Sequence, residues 1–253
     1  MLNIAVRAAR RAGAIINRAS LDGKIDVRSK RANDFVTQVD GAAEQAVMEI
    51  VRKAYPDHGF IAEESGETAP DAEYLWIIDP LDGTTNFIHG FPQYAVSIAV
   101  QHRGALAHAV VYDPNRNELF TASKGVGAFL NDRRMRVSKC QRLDAALVGT
   151  GFPFKELSRL DLYLKQLTTV MSTASGVRRA GAAALDLAYV ACGRLDAFWE
   201  LGLAPWDVAA GALLITEAGG LISDLSGEQN FMKTGDVCAA TPKVFPGLLE
   251  AMR

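Results

Sequence analysis

Apolar positions recur at helical spacing near the start of the chain. Leu2, Val6, Ala9, Gly13 and Ile16 share one face over residues 2–20, while Arg7, Arg10, Arg11 and Arg18 fall mostly elsewhere. The pattern predicts an amphipathic helix whose arginines face solvent or a partner. Residues 24–28 alternate weakly and read as a short strand. A second helix follows, with Asp40 as its N-cap and Ala43, Val47, Ile50, Val51 and Ala54 as its buried stripe. The period then changes. Phe60–Ala62 and Trp76–Ile78 are short apolar runs that suit buried strands. Pro80 is expected to stop the second, because it has no N–H for a ladder. Tyr94–His102, Ala105–Asp113 and Glu118–Ser123 predict an antiparallel meander, with a further hairpin at Asn131-Asp132 leading into Met135–Ser138.

The C-terminal half alternates strands and helices. Ala145–Gly149 reads as a strand, and residues 156–171 as a helix with Leu157, Leu160, Leu164, Leu167 and Val170 or Met171 on one side. Gly181-Ala182-Ala183-Ala184 opens another helix; tight helix packing is the plain reading of so small a start, and close approach to a ligand the functional one. Leu195–Glu200 is a strand ending in acid. Pro205-Trp206-Asp207 starts a helix through Ala218 that Gly219 caps. Leu221–Ser223 and Val237–Thr241 are strands, and Val244–Met252 a terminal helix.

The chemistry gathers at strand ends. Trp76-Ile77-Ile78 runs into Asp79, and Asp82 follows three residues later, before Gly83-Thr84-Thr85. Phe60-Ile61-Ala62 runs into Glu63-Glu64 in the same way. Carboxylates held at strand ends form a hard oxygen cluster suited to Mg²⁺, and the bend at Pro80 frees the Leu81 carbonyl as a neutral ligand. Exposed N–H groups in the Gly83 turn would hold a phosphate. Metal, phosphate and water together are the apparatus of a phosphatase. Asp207, in the first turn of its helix, is favoured there by the helix dipole without any metal. For Asp40, capping and aiming a carboxylate into the site both stay open. Gly125-Val126-Gly127 follows a strand but precedes no helix signature, so it reads as a turn rather than a dinucleotide loop.

Composition narrows the class. The 253 residues are 49% hydrophobic, enough for one large domain over 1–253 built of two intimate subdomains, roughly 1–140 and 141–253. A net charge of −2 argues against bulk binding to nucleic acid. Cys140, Cys192 and Cys238 form no CxxC pair and read as reduced thiols of a cytoplasmic protein. No apolar run reaches membrane-spanning length. His58, His89, His102 and His108 show no metal-ligand spacing.

Taken together, Ile61-Ala62-Glu63-Glu64-Ser65, Trp76–Phe87 and Pro205–Gly211 with Glu217-Ala218-Gly219-Gly220 make the chain resemble the inositol monophosphatase family, in its bacterial inositol-1-monophosphatase branch, over nearly its whole length. The resemblance implies an α-β-α-β-α layered sandwich of mixed α+β and α/β character, of the inositol monophosphatase and fructose-bisphosphatase type. It implies a Mg²⁺-dependent, Li⁺-sensitive phosphomonoesterase, usually dimeric, with two to three Mg²⁺ per site. Glu63, Asp79 and the Leu81 carbonyl would hold the first metal, and Asp79, Asp82 and Asp207 the second, with a third near Glu63. Thr84, partnered by Asp40, would orient and help deprotonate the attacking water. The Gly83 and Thr84 amides would hold the phosphate, and Gly181, Ala182, Ala183 and Glu200 would line the polyol pocket.

The chain departs from the family at Ala182, where members often carry Thr or Ser. It departs again at Ser29–Asn33, a segment that often forms a mobile lid and that matches poorly in register. A phosphatase for 3′-phosphoadenosine nucleotides or fructose bisphosphate shares the metal motif. An interaction protein is the other alternative, since some bacterial members associate with the transcription apparatus. Arg7, Arg10 and Arg11, or Arg178-Arg179, are candidate contacts for that role.

Overall fold

The computed structural model describes residues 1–22, 27–31, 34–154 and 156–253. The strand expected over 24–28 falls partly outside them. Its described part is Val27–Arg31, paired antiparallel with Asp34–Thr37. Ala32 and Asn33 of the expected lid segment also lie outside the described residues.

Among the described residues, five layers stack in the order α-β-α-β-α. Helices Leu2–Asp22 and Gln38–Ala54 form the first. They cover one face of an eight-stranded sheet through Trp76, Ile78, Val96, Ile98, Val100 and Val110. Successive side chains of a strand point to opposite faces. Ile77, Ala99, Ala109, Val111 and Phe120 therefore meet the middle layer, helices Ala183–Ala191 and Pro205–Ala218. These two helices touch closely because of Gly211, where a Cβ would lie 2.4 Å from Leu187 Cβ. Phe198, Val237 and Ala239 of a five-stranded sheet close the other side of this layer. The outer face of that sheet, with Val148, Trp199 and Ala240, is covered by helices Leu160–Thr173 and Phe245–Ala251.

The meander is as expected: Ala95–His102, Ala105–Asp113, Glu118–Ser123 and Gly127–Leu130 pair antiparallel in sequence order. Gly59–Ala62 and Tyr74–Asp82 lie side by side and parallel, so their carboxyl ends open at one place. Leu147–Thr150 and Ala197–Glu200 are parallel too, in the second sheet.

Four local expectations need correction. Pro80 does not end its strand: pairing with Ala95–His102 resumes at Asp82 after a shift between Asp79 and Asp82. A residue without an N–H is tolerated at such a bulge. The second helix is capped by Thr37, and Asp40 is the third helical residue of a capping box. Met135–Ser138 forms no strand; the short one after the Asn131-Asp132 turn is Arg133–Arg134. The apolar stripe of 156–171 faces inward only in part, at Leu167 and Val170. Leu157 is 59% exposed and Leu164 47%, while Tyr163, Gln166 and Val170 are the buried side chains. Polar anchoring turns the helix that way: Tyr163 Oη lies 3.2 Å from Thr150 Oγ1, and Gln166 Nε2 donates to the Met252 carbonyl at 2.9 Å.

Candidate active site

The bulge delivers the acids. Asp79 and Asp82, buried at the end of the central strand, meet Asp207 from the first turn of helix Pro205–Ala218, with one carboxylate oxygen from each within 4.8 Å of the others. Ser97 Oγ, on the neighbouring strand, donates to the Trp206 carbonyl at 3.1 Å and ties that helix start to the first sheet. Each carboxylate accepts one backbone N–H: Asp79 from Leu81 at 2.9 Å, Asp82 from Ala184 at 2.8 Å, Asp207 from Ala204 at 2.7 Å. Burial pushes the Asp79 carboxyl well above the usual range, with Glu63, Asp82 and Asp207 adding repulsion. Burial does the same to Asp82, with Asp207 next. Three crowded carboxylates with oxygen donors facing one point suit a hard divalent cation.

Glu63 lines the same pocket, outside the triad. Its turn is held by a residue the sequence pattern does not single out. Glu44, buried on the second helix, accepts the Glu64 and Ser65 amides at 2.8 and 2.9 Å.

Thr84 and Asp40 come together as expected. Thr84 Oγ1 lies 3.0 Å from Asp40 Oδ1 and 3.0 Å from the Leu81 carbonyl. Asp40 Oδ2 accepts from Thr37 N at 2.8 Å and Thr37 Oγ1 at 2.6 Å. Asp40 therefore both completes the capping box and holds Thr84. Burial raises its pKa against these hydrogen bonds. Gly83 adopts φ +90°, and a Cβ there would come within 2.8 Å of the Gln93 carbonyl; only glycine fits this turn.

The far wall carries Gly181, Ala183 and Glu200. Ala182 is not on it. Its side chain is 1% exposed and packs behind Gly83, where a Cβ on Gly83 would be 3.3 Å away. Gly151 makes room for Glu200: a Cβ at Gly151 would fall 1.9 Å from Glu200 Oε1. The parallel register that sets Thr150 opposite Trp199 places the next residue of each strand in contact. Burial raises the Glu200 carboxyl well above its usual range, with Asp186 and Asp207 adding to it. Asn86 stitches this wall to the first motif, its amide facing the carbonyls of Gln93 at 2.7 Å, Ala180 at 2.9 Å and Gly181 at 3.2 Å. Phe152, Phe154 and Arg179 form the mouth. Arg179 thus belongs to the pocket rather than to a remote surface.

Glu217 of the third motif is structural. Its carboxylate accepts Gly125 N at 2.7 Å and Gly127 N at 2.8 Å, which makes Gly125-Val126-Gly127 a turn. His58 is structural as well, accepting the Trp76 indole N–H at 2.9 Å between the rings of Tyr55 and Tyr74.

The five-layer order, with an acidic pocket at the strand ends, defines the layered α/β fold of solved inositol monophosphatases. The model of the inositol monophosphatase family matches residues 1–253, and the chain belongs to that family. It is 55% identical to the Nus factor SuhB of Pseudomonas aeruginosa, over 100% of this chain and 96% of that one. The extragenic suppressor protein suhB of Bartonella henselae superposes with a TM-score of 0.96 at 43% identity, covering 100% of this chain and 98% of that one. An inositol monophosphatase of Anabaena superposes with a TM-score of 0.86 at 39% identity, over 99% and 94%. Family membership supports phosphatase activity. Among the described residues, no helix is long and apolar enough to cross a membrane.

Proposed function

We propose that the chain is a Mg²⁺-dependent phosphomonoesterase that hydrolyses inositol 1-phosphate and related polyol or sugar monophosphates. The observation that carries this is the triad Asp79, Asp82 and Asp207, with one carboxylate oxygen from each within 4.8 Å of the others and with Asp79 and Asp82 buried. Oxygen-only donors fit Mg²⁺. Glu63, Asp79 and the Leu81 carbonyl would hold one ion, and Asp79, Asp82 and Asp207 another, with a third, weaker one near Glu63. When bound, the metal lowers the pKa of a water and neutralises the phosphate.

The remaining work falls to the chain. Asp40, fixed by Thr37, accepts the Thr84 hydroxyl proton at 3.0 Å and leaves the Thr84 oxygen free to accept from the attacking water. The Gly83 and Thr84 amides open a short helix, where the first N–H groups have no partner within the helix, and take phosphate oxygens. Glu200 accepts hydroxyls of the leaving group beside Gly181 and Ala183. The phosphate is thereby positioned for in-line displacement without a covalent intermediate.

The test is phosphate release from inositol 1-phosphate, a 3′-phosphoadenosine nucleotide and fructose 1,6-bisphosphate, with and without Mg²⁺. Release that needs Mg²⁺ and is fastest from inositol 1-phosphate is expected. No Mg²⁺-dependent release from any ester, by folded protein, overturns the reading; faster release from the nucleotide moves it to that substrate class.

A second reading rests on the relatives called Nus factor: a contact with the transcription machinery, made alongside catalysis. Arg7 and Arg11 are exposed on the first helix and available for it, whereas Arg10 is tied to Asn117 at 3.3 Å and to the Tyr112 ring at 5.4 Å. Capture of RNA polymerase components that survives Asp79→Asn would support it, and failure of the wild type to capture them would remove it. Two further features support the wider picture. The exposed Leu157, Leu160, Leu164 and Met171 suit burial in a homodimer, and the free thiols Cys140, Cys192 and Cys238 suit a reducing cytoplasm.

A further inference from the structure

Arg179 stands at the pocket mouth, and the reaction above gives it no part. Its guanidinium carbon lies 5.1 Å from the Phe152 ring centroid and 5.1 Å from that of Phe154. The two rings meet edge to face at 5.6 Å, and Phe152 is in turn edge-on to buried Tyr163 at 5.7 Å. The clamp is therefore anchored in the core beneath it. On another side the guanidinium lies against Gly181, where a Cβ would come within 2.5 Å of Arg179 Nη1. Glycine makes room for the cation as well as for the turn.

The donors of this arginine are unspent among the described residues. Among the described residues no hydrogen bond or ion pair takes any of its N–H groups, and it is the only cation lining the pocket. Arginines with a structural task in this chain behave differently. Arg159 spends its fork on Asp236 at 2.6 and 2.7 Å, and Arg194 on Glu118 at 2.5 and 2.6 Å. A guanidinium resting against two rings at the edge of a substrate pocket, with its fork untaken among the described residues, matches a carboxylate or a phosphate bidentately. A neutral polyol would leave most of those donors to water.

We propose that Arg179, held by Phe152 and Phe154, is a specificity-determining residue that reads a second anionic group on the leaving-group side of the phosphate ester. The inference rests on the phosphatase reading of the same pocket. It adds that esters carrying a further carboxylate or phosphate are preferred over otherwise identical neutral ones.

The test uses the full chain with Mg²⁺ and two esters that differ at one group: glucose 1-phosphate, and glucuronic acid 1-phosphate, with a carboxylate in place of the hydroxymethyl. A preference in kcat/KM of about tenfold for the acid is expected, the size of one charge-assisted contact. Arg179→Met keeps an apolar stem against the rings and removes the fork. It should cancel the preference, mainly through a higher KM for the acid. Arg179→Lys should restore part of it, and Phe154→Ala, which loosens the clamp, should weaken it in the same direction. Melting temperature and elution volume show whether each variant is folded. A wild type without the preference, or an Arg179→Met that slows both esters equally, overturns the proposal and leaves the phosphatase reading standing. Absence of Mg²⁺-dependent hydrolysis of any ester strikes the phosphatase reading itself, and this proposal with it.

Discussion

The eight-stranded sheet buries carboxylates at two strand ends, and the two are satisfied in opposite ways. Asp113, 0% exposed, closes strand Ala105–Asp113. Its Oδ1 accepts the Asn115 and Arg116 amides at 2.8 and 3.0 Å, and its Oδ2 takes the Arg116 guanidinium at 2.8 Å. Asp79, 2% exposed, stands at the bulge near the end of strand Tyr74–Asp82 with one backbone N–H and three acidic neighbours. Among the described residues, a cation pairs with the first and further acids crowd the second. A buried charge must be paired or neutralised, so the difference separates an acid that its own strand end satisfies from one that the proposed Mg²⁺ would satisfy. Burial alone does not make that distinction; the identity of the neighbours does.

The sharpest way to break the comparison is to remove one carboxylate of each kind. Asp79→Asn should lower Mg²⁺-dependent kcat/KM on the order of 10³-fold or more, with the fold retained. Mg²⁺ should raise the melting temperature of the wild type and not of this variant. Asp113→Asn should do the reverse: a loss of about 2 kcal/mol in denaturant unfolding, with turnover of the folded fraction preserved. Wild-type activity in Asp79→Asn would show that the triad holds no catalytic metal.

A smaller effect should follow from filling the space that Gly151 leaves. In Gly151→Ala the new methyl collides with the Glu200 carboxylate itself, so the acid must move out of the pocket. KM for inositol 1-phosphate should rise about tenfold, the cost of one hydrogen-bonding partner to the substrate, with the Mg²⁺ dependence unchanged. An unchanged KM would show that Glu200 does not touch the leaving group.

Asp79 and Gly151 also mark what the sequence discloses. Asp79 and Asp82 are legible because a strand, a bend and two acids sit within a few residues, and local periodicity and turn chemistry speak at that range. Most strands and all the longer helices are legible for the same reason. Gly151 is not, because what it must avoid lies on a strand whose register is set only by the finished sheet. Glu44 is missed likewise and Arg179 is read as a partner contact rather than a pocket residue, since nothing in their own segments reveals the Glu64 and Ser65 amides or the rings of Phe152 and Phe154. Asp40 is mistaken for an N-cap because Thr37, three residues earlier, is an equally good cap. Leu157 and Leu164 mislead because an apolar stripe marks a face to be covered without saying what covers it. Here Tyr163 and Gln166 settle the rotation of the helix through polar contacts.

The smallest expected effect concerns Asp186, a carboxylate buried in the middle-layer helix, 2% exposed. Burial pushes its pKa from 3.8 to about 8, and Arg179 pulls it partly back. Between those values the folded chain holds a proton that the unfolded chain has released. Stability from this group is therefore full below the unfolded pKa of 3.8 and is lost as pH rises toward about 8. Asp79, Asp82, Glu200 and Asp40, all raised by burial, slope the same way. Calorimetry of the metal-free protein should show a melting temperature that falls from about pH 5 to about pH 8. Asp186→Asn should make that fall shallower without abolishing it, because the other acids remain. Mg²⁺ should flatten the part that belongs to the triad and leave the part that belongs to Asp186. Identical slopes for Asp186→Asn and the wild type would mean that Asp186 is ionised in the fold at neutral pH, with Arg179 spent on it rather than on a substrate.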